Sequence, residues 1–156
     1  MKMDYSELPS NWSRIVIDGD LGAGKSALAQ GMSKDLSATV VSLDEYLLSN
    51  GDIYWDQIDY EPLRSKVSAI GQRIIIEGVC ALKVLEKINV RHDYLIFIKR
   101  YNGLFGWEFG QYLSENARPP HDKLWQEIVQ YYREYEPFGA CNLVLYRDVC
   151  QPIVIN

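Results

Sequence analysis

Short runs of β-branched and aromatic residues alternate along this chain with segments whose apolar positions recur every three or four residues. Five runs predict strands: Arg14 to Asp18 (RIVID), Thr39 to Leu43 (TVVSL), Arg73 to Glu77 (RIIIE), Asp93 to Ile98 (DYLIFI) and Asn142 to Tyr146 (NLVLY). Pro152 to Ile155 is a candidate short edge strand. Between them, Ala27 to Leu36 sets Leu28, Met32 and Leu36 four apart, and Glu61 to Ile70 places Leu63, Val67 and Ile70 on one stripe. Ala81 to Ile88 carries Leu82, Leu85 and Ile88, and His121 to Tyr135 carries Leu124, Ile128, Tyr131 or Tyr132, and Tyr135, so both also predict helices. Such alternation predicts an α/β fold, a parallel sheet with helices on its faces. Gly103 to Pro120 breaks the rhythm with three glycines and two prolines, and it reads as a partly mobile loop with exposed aromatics.

One segment between the first strand and the first helix carries chemistry. Gly19-Asp20-Leu21-Gly22-Ala23-Gly24-Lys25-Ser26 fits G-x-x-x-x-G-K-[ST] at every fixed position. Glycines let the backbone curl so that successive N–H groups face inward, and the helix beginning near Lys25 adds the positive end of its dipole. A polyphosphate fits there, held by residues 19 to 27 including Ala27. Lys25 would offset charge on the β and γ phosphates, and the Ser26 hydroxyl would ligate the accompanying Mg²⁺. The bland alternative is a glycine-rich turn whose Lys and Ser are a solvated first helical turn.

Ligands of open parallel sheets sit beyond the carboxyl ends of the strands, where the second and third strands end in acids. Asp44 lies in Ser42-Leu43-Asp44-Glu45-Tyr46 and could accept a proton from a hydroxyl attacking the γ phosphate, or cap a helix over Glu45 to Leu48. Glu77 ends RIIIE and could hold Mg²⁺ or its water, or cap the helix that follows. Gly51 to Pro62 (GDIYWDQIDYEP) mixes Tyr, Trp and Asp, suiting a base stacked on rings and ribose hydroxyls on carboxylates. Tyr46, Tyr54, Trp55, Asp56, Asp59 and Tyr60 are the acceptor-site candidates. An exposed acidic turn with its aromatics in the core is the other reading.

Composition narrows the classes. With 156 residues, 47% hydrophobic and 24% charged, the chain suits one domain spanning 1 to 156. Sixteen Lys and Arg against 21 Asp and Glu give a formal charge of −5, which disfavours a sequence-independent grip on nucleic acid. No apolar run approaches a membrane span, since Ile74-Ile75-Ile76 stops at Glu77, and the first residues, MKMDYSELPSNWS, do not read as a signal peptide. Cys80, Cys141 and Cys150 are odd in number and form no C-x-x-C pair, so a reduced, cytoplasmic setting is expected. His92 and His121 lack a second ligand at metal spacing.

Taken in order, GDLGAGKS, SLDEYL, YWDQIDYEPL and IIIEGVCAL resemble the uridine kinase and nicotinamide riboside kinase branch of the P-loop kinases, over about Arg14 to Leu82. The resemblance implies a P-loop NTPase fold of five parallel strands in order 2-3-1-4-5, Mg²⁺ and ATP as cofactors, and a small hydroxylated acceptor, either nucleoside-like or a sugar, pantothenate-like molecule or antibiotic. It makes Asp44 the general base for a nucleoside 5′-hydroxyl and sets Glu77 near the metal. That branch follows its fourth strand with an arginine-rich lid. Here the segment from about 99 to 120 offers Arg100 and Arg118 at unfamiliar spacing, with Arg133 further on. Arg118 reads equally as a solvated loop residue and Arg133 as a partner of Glu136. The resemblance puts the base contact near the turn after the fifth strand, so base recognition here is either loose or supplied by Arg147 and Asp148 with neighbouring backbone. A nucleotide-binding regulatory module with little turnover is the reading from another class. The sequence gives neither the oligomeric state nor the choice between ATP and GTP.

Overall fold

The computed structural model describes residues 5–48, 54–103 and 106–148. Strand β1 (Arg14–Gly19) is central, flanked in parallel by β3 (Ile74–Glu77) with Ile17 opposite Glu77, and by β4 (Tyr94–Asn102) with Gly19 opposite Ile98. β2 (Thr39–Ser42) pairs in parallel outside β3, and β6 (Leu143–Asp148) outside β4. These five parallel strands follow the expected order. The sheet nevertheless has six strands and is mixed, because β5 (Gly106–Trp107) folds back antiparallel onto Tyr101 and Asn102.

Side chains alternate across the strands and divide the core in two. Ile15 and Ile17 of β1, Ile75, Ile96 and Ile98 pack with Trp12 against Ala29 and Met32 of helix α1 (Lys25–Leu36). Val16, Ile74, Ile76, Leu95 and Phe97 face the other way, against α2 (Tyr60–Ala69), α3 (Ala81–Lys87) and α4 (Lys123–Tyr135). A short fifth helix, α5 (Pro137–Ala140), leads towards β6. The Asp122 side chain caps α4, accepting a hydrogen bond from the Trp125 N–H at 3.0 Å. Among the described residues no helix is long and apolar enough to cross a membrane. The candidate edge strand Pro152 to Ile155 lies outside the described residues.

The expectation of a mobile loop over Gly103 to Pro120 is corrected for the described part of that segment. β4 runs four residues past its predicted end at Ile98, and the chain that follows is held by aromatic packing. Trp107 packs edge-on against Phe97 and Phe138, with centroids 6.3 and 5.0 Å apart, and Phe109 is fully buried and stacked on Trp125 at 4.6 Å. Arg133 of α4 donates to the carbonyls of Tyr112 and Ser114, at 2.8 and 3.4 Å. Phe109→Ala should therefore cost about 3 to 5 kcal/mol in urea unfolding, whereas a side chain on an exposed loop would cost about 0.5 kcal/mol or less.

Candidate functional site

The loop between β1 and α1 turns at glycines because no other residue fits. Gly19 has φ +140°, and a Cβ there would sit 2.3 Å from the Ile98 carbonyl oxygen of the neighbouring strand. Gly24 has φ +88° and precedes α1, so the free amides of the first helical turn face the space the loop encloses. A pocket of about 270 Å³ lies there, lined by the loop from Leu21 to Ala27 except Ala23, and by Asp44, Glu77, Val79 and Arg147.

Lys25 is nearly buried, and its Nζ donates to the carbonyls of Gly19 and Asp20 at 3.1 and 2.7 Å. Burial lowers its pKa, against the pull of Asp18, Glu77, Asp44 and Asp20. The Ser26 hydroxyl donates to Glu77 Oε1 at 3.1 Å, joining the first turn of α1 to the end of β3. Glu77 is 3% exposed and does not cap α3, whose preceding residue is Cys80 in the left-handed conformation. Asp44 lies within a 3₁₀ turn (Leu43–Tyr46) rather than before a helix, and its Oδ1 accepts the Tyr54 hydroxyl at 2.7 Å. Tyr54 is itself fixed by its N–H, which donates to Glu127 of α4 at 2.8 Å.

The other acceptor-site candidates stand elsewhere. Trp55 is buried, with Lys83 Nζ 4.0 Å from its ring centre, and Asp56 pairs with Lys87 at 2.9 Å, so both engage α3. Tyr60 donates to the Trp55 carbonyl, and Asp59 precedes α2 and donates its N–H to the Tyr46 carbonyl at 2.7 Å. Tyr46 is half-buried. Residues 51–53 of that segment lie outside the described residues. Arg100 reaches the loop through the Leu21 carbonyl at 3.4 Å and faces Glu108 at 3.3 Å. Arg118 is exposed and does not line the pocket. Among the described residues no cluster of His, Cys, Asp and Glu could hold a metal without other ligands.

Sequence reasoning missed what lies beneath the loop. Asp18 and Asp20 are fully buried. Asp18 accepts the Gly19 N–H at 2.7 Å and the Tyr131 hydroxyl, while Asp20 accepts the Tyr132 hydroxyl at 2.6 Å, the Trp107 indole N–H at 2.8 Å and the Arg100 N–H at 2.6 Å. Burial pushes both tyrosines' pKa values up, helped by the acids they face, so they remain donors. Desolvation also raises Asp20 and lifts Asp18 from 3.8 to about 6. Burial likewise raises Cys80, leaving an inert thiol. The signal for these roles was an acid at the end of a wholly apolar strand, and two adjacent tyrosines on the buried face of α4.

Loop, sheet and helices together make the fold that P-loop kinases of small molecules use. Two solved structures share it: a possible uridine kinase from Bacillus stearothermophilus, 17% identical with a TM-score of 0.55 over 90% of this chain and 91% of that one, and shikimate kinase from Aquifex aeolicus, 17% identical with a TM-score of 0.53 over 89% and 88%. At that identity the likeness is one of fold. No family model matches the chain, and no curated protein matches it.

Asp18 makes stability depend on pH with a definite sign. A carboxyl that holds its proton more tightly when folded favours folding at low pH and loses that advantage as pH rises through the interval between its unfolded and folded pKa values, here 3.8 to about 6. Asp18→Asn has no such proton to lose. Its urea-unfolding free energy should rise relative to the unsubstituted protein by up to about 3 kcal/mol between about pH 4 and pH 6.5; parallel pH profiles would contradict the assignment.

Proposed function

We propose that the chain is an ATP-dependent kinase that moves the γ phosphate to a hydroxyl of a small acceptor, with a nucleoside or nucleoside-like molecule as the first candidate. One observation carries the reading: a phosphate-loop lysine and serine, a strand-end carboxylate and a second, exposed carboxylate line a single pocket. Ser26 and Glu77 present oxygen ligands 3.1 Å apart, a donor set that suits Mg²⁺. Bound there, the ion would neutralise phosphate charge.

The chain's own residues supply the remaining functions. Loop amides and Lys25 bind the polyphosphate, and Lys25 must leave the carbonyls of Gly19 and Asp20 to do so. Asp44 accepts the proton of the acceptor hydroxyl as its oxygen bonds to the γ phosphorus, and the bond to the β-bridging oxygen breaks to release ADP. Tyr54, donating to Oδ1, leaves Oδ2 of Asp44 for that proton. A cytoplasmic setting fits ATP use and the free Cys80 and Cys141.

The test is phosphate transfer from labelled ATP to a panel of nucleosides, uridine first, with shikimate, sugars and pantothenate beside them. Lys25→Ala should weaken Mg·ATP binding about tenfold or more in calorimetry. Asp44→Asn should leave nucleotide affinity unchanged while lowering turnover about 10²- to 10⁴-fold. Transfer to non-nucleosides alone would move the acceptor class, and binding with no transfer to anything, unaffected by Asp44→Asn, would establish a regulatory module instead.

A further inference from the structure

Phosphoryl transfer usually needs a cation on the polyphosphate besides the loop lysine, and none of the arginines that sequence spacing offered lines the pocket. Arg133 ties the carbonyls of Tyr112 and Ser114, Arg118 is exposed outside the pocket, and Arg100, although its Nη1 donates to the Leu21 carbonyl at 3.4 Å, is paired with Glu108 at 3.3 Å and does not line the pocket. Arg147 differs from all three. The parallel register of β4 and β6 sets it opposite Arg100 at the carboxyl end of the sheet, level with the loop. Its Nη1 donates to the Gly22 carbonyl at 2.8 Å. It also lies so close over Gly24 that a Cβ on that residue would come within 2.8 Å of the same nitrogen. The guanidinium thus lies along the glycine loop and lines the pocket with Lys25 and Ser26.

We propose that Arg147, carried on the last described strand, is the second cationic ligand of the polyphosphate, in place of a lid arginine. The inference rests on the nucleotide-binding reading above. A guanidinium offers five N–H donors in a planar fork, and one of them satisfies Gly22, which fixes the group's position without using its capacity for phosphate oxygens. In a chain of net charge −5 an incoming polyphosphate meets general repulsion, so a fixed positive group beside the loop does much to make the site attractive. The glycine at position 24 then has two roles, turning the chain and leaving room for Arg147. The sequence expectation for this residue includes a base contact, whereas its hydrogen bond to Gly22 puts the guanidinium on the glycine loop.

Calorimetry with two probes tests this. Mg·ATP carries a base, and magnesium tripolyphosphate carries none. Arg147→Ala should weaken both by the same factor, about ten- to a hundredfold. Arg147→Lys should restore part of the loss for both, while Arg147→Gln, which keeps a donor for Gly22 without the charge, should restore none. Weaker ATP binding with unchanged tripolyphosphate binding would overturn the proposal in favour of a base contact. Full recovery in Arg147→Gln would reduce Arg147 to a brace for the loop, and unchanged binding in Arg147→Ala beside a loss in Lys25→Ala would remove it from the site. If the unsubstituted protein binds neither probe, the nucleotide-binding reading itself fails, and the proposal with it.

Discussion

Two buried carboxylates hold the phosphate loop to the rest of the molecule. Removing an ionised carboxylate from water costs several kcal/mol unless donors replace the lost hydration, and Asp18 and Asp20 collect theirs from distant parts of the chain. Tyr131 and Tyr132 of α4 reach one acid each, the Trp107 indole arrives from the short antiparallel strand, and the Arg100 amide comes from the extended end of β4. A loop that must present its amides in one geometry is thus tied to a helix and a hairpin as well as to its own strand. The mixed sheet follows from the same constraint, since β5 is the strand that delivers Trp107 to Asp20.

The site combines opposing charges at short range. Acids lie beneath the loop, carboxylates line the pocket wall, and three basic groups, Lys25, Arg100 and Arg147, rest on carbonyls of the loop itself. Lys25 is drawn in two directions, because burial disfavours its charge while four nearby acids favour it. A polyphosphate offers Lys25 a stronger acceptor than backbone carbonyls, and so would supply the driving force for it to turn outward, while Arg147 would keep Gly22 and present its remaining donors.

Much of this architecture was legible in the chain. Strands such as Arg73 to Glu77 and helices such as Ala27 to Leu36 lie within two residues of their predicted limits, because apolar periodicity and the glycine motif agree locally. Fully burying the strand IIIE required no long-range knowledge. The segment after Ile98 was misread because its aromatics look exposed when read alone. Their partners, Phe97, Tyr132 and Phe138, come from other elements, and only the fold brings them together. The same holds for Asp18 and Asp20, whose donors lie more than a hundred residues away in sequence for Tyr131 and Tyr132. Trp55 and Asp56 show the converse limit, for a composition that suits a base and a ribose also suits a core ring and an ion pair with α3.

The central claim is that residues 19 to 27 form a polyphosphate site held in shape by the acids below it. Amide chemical-shift mapping by nuclear magnetic resonance during titration with a magnesium complex of a non-hydrolysable ATP analogue addresses it most directly. The largest shifts should fall on the amides of Gly22, Gly24, Lys25 and Ser26, with smaller ones on Asp44 and Arg147. Shifts that concentrate outside the loop, or a titration that moves no loop amide, would contradict it.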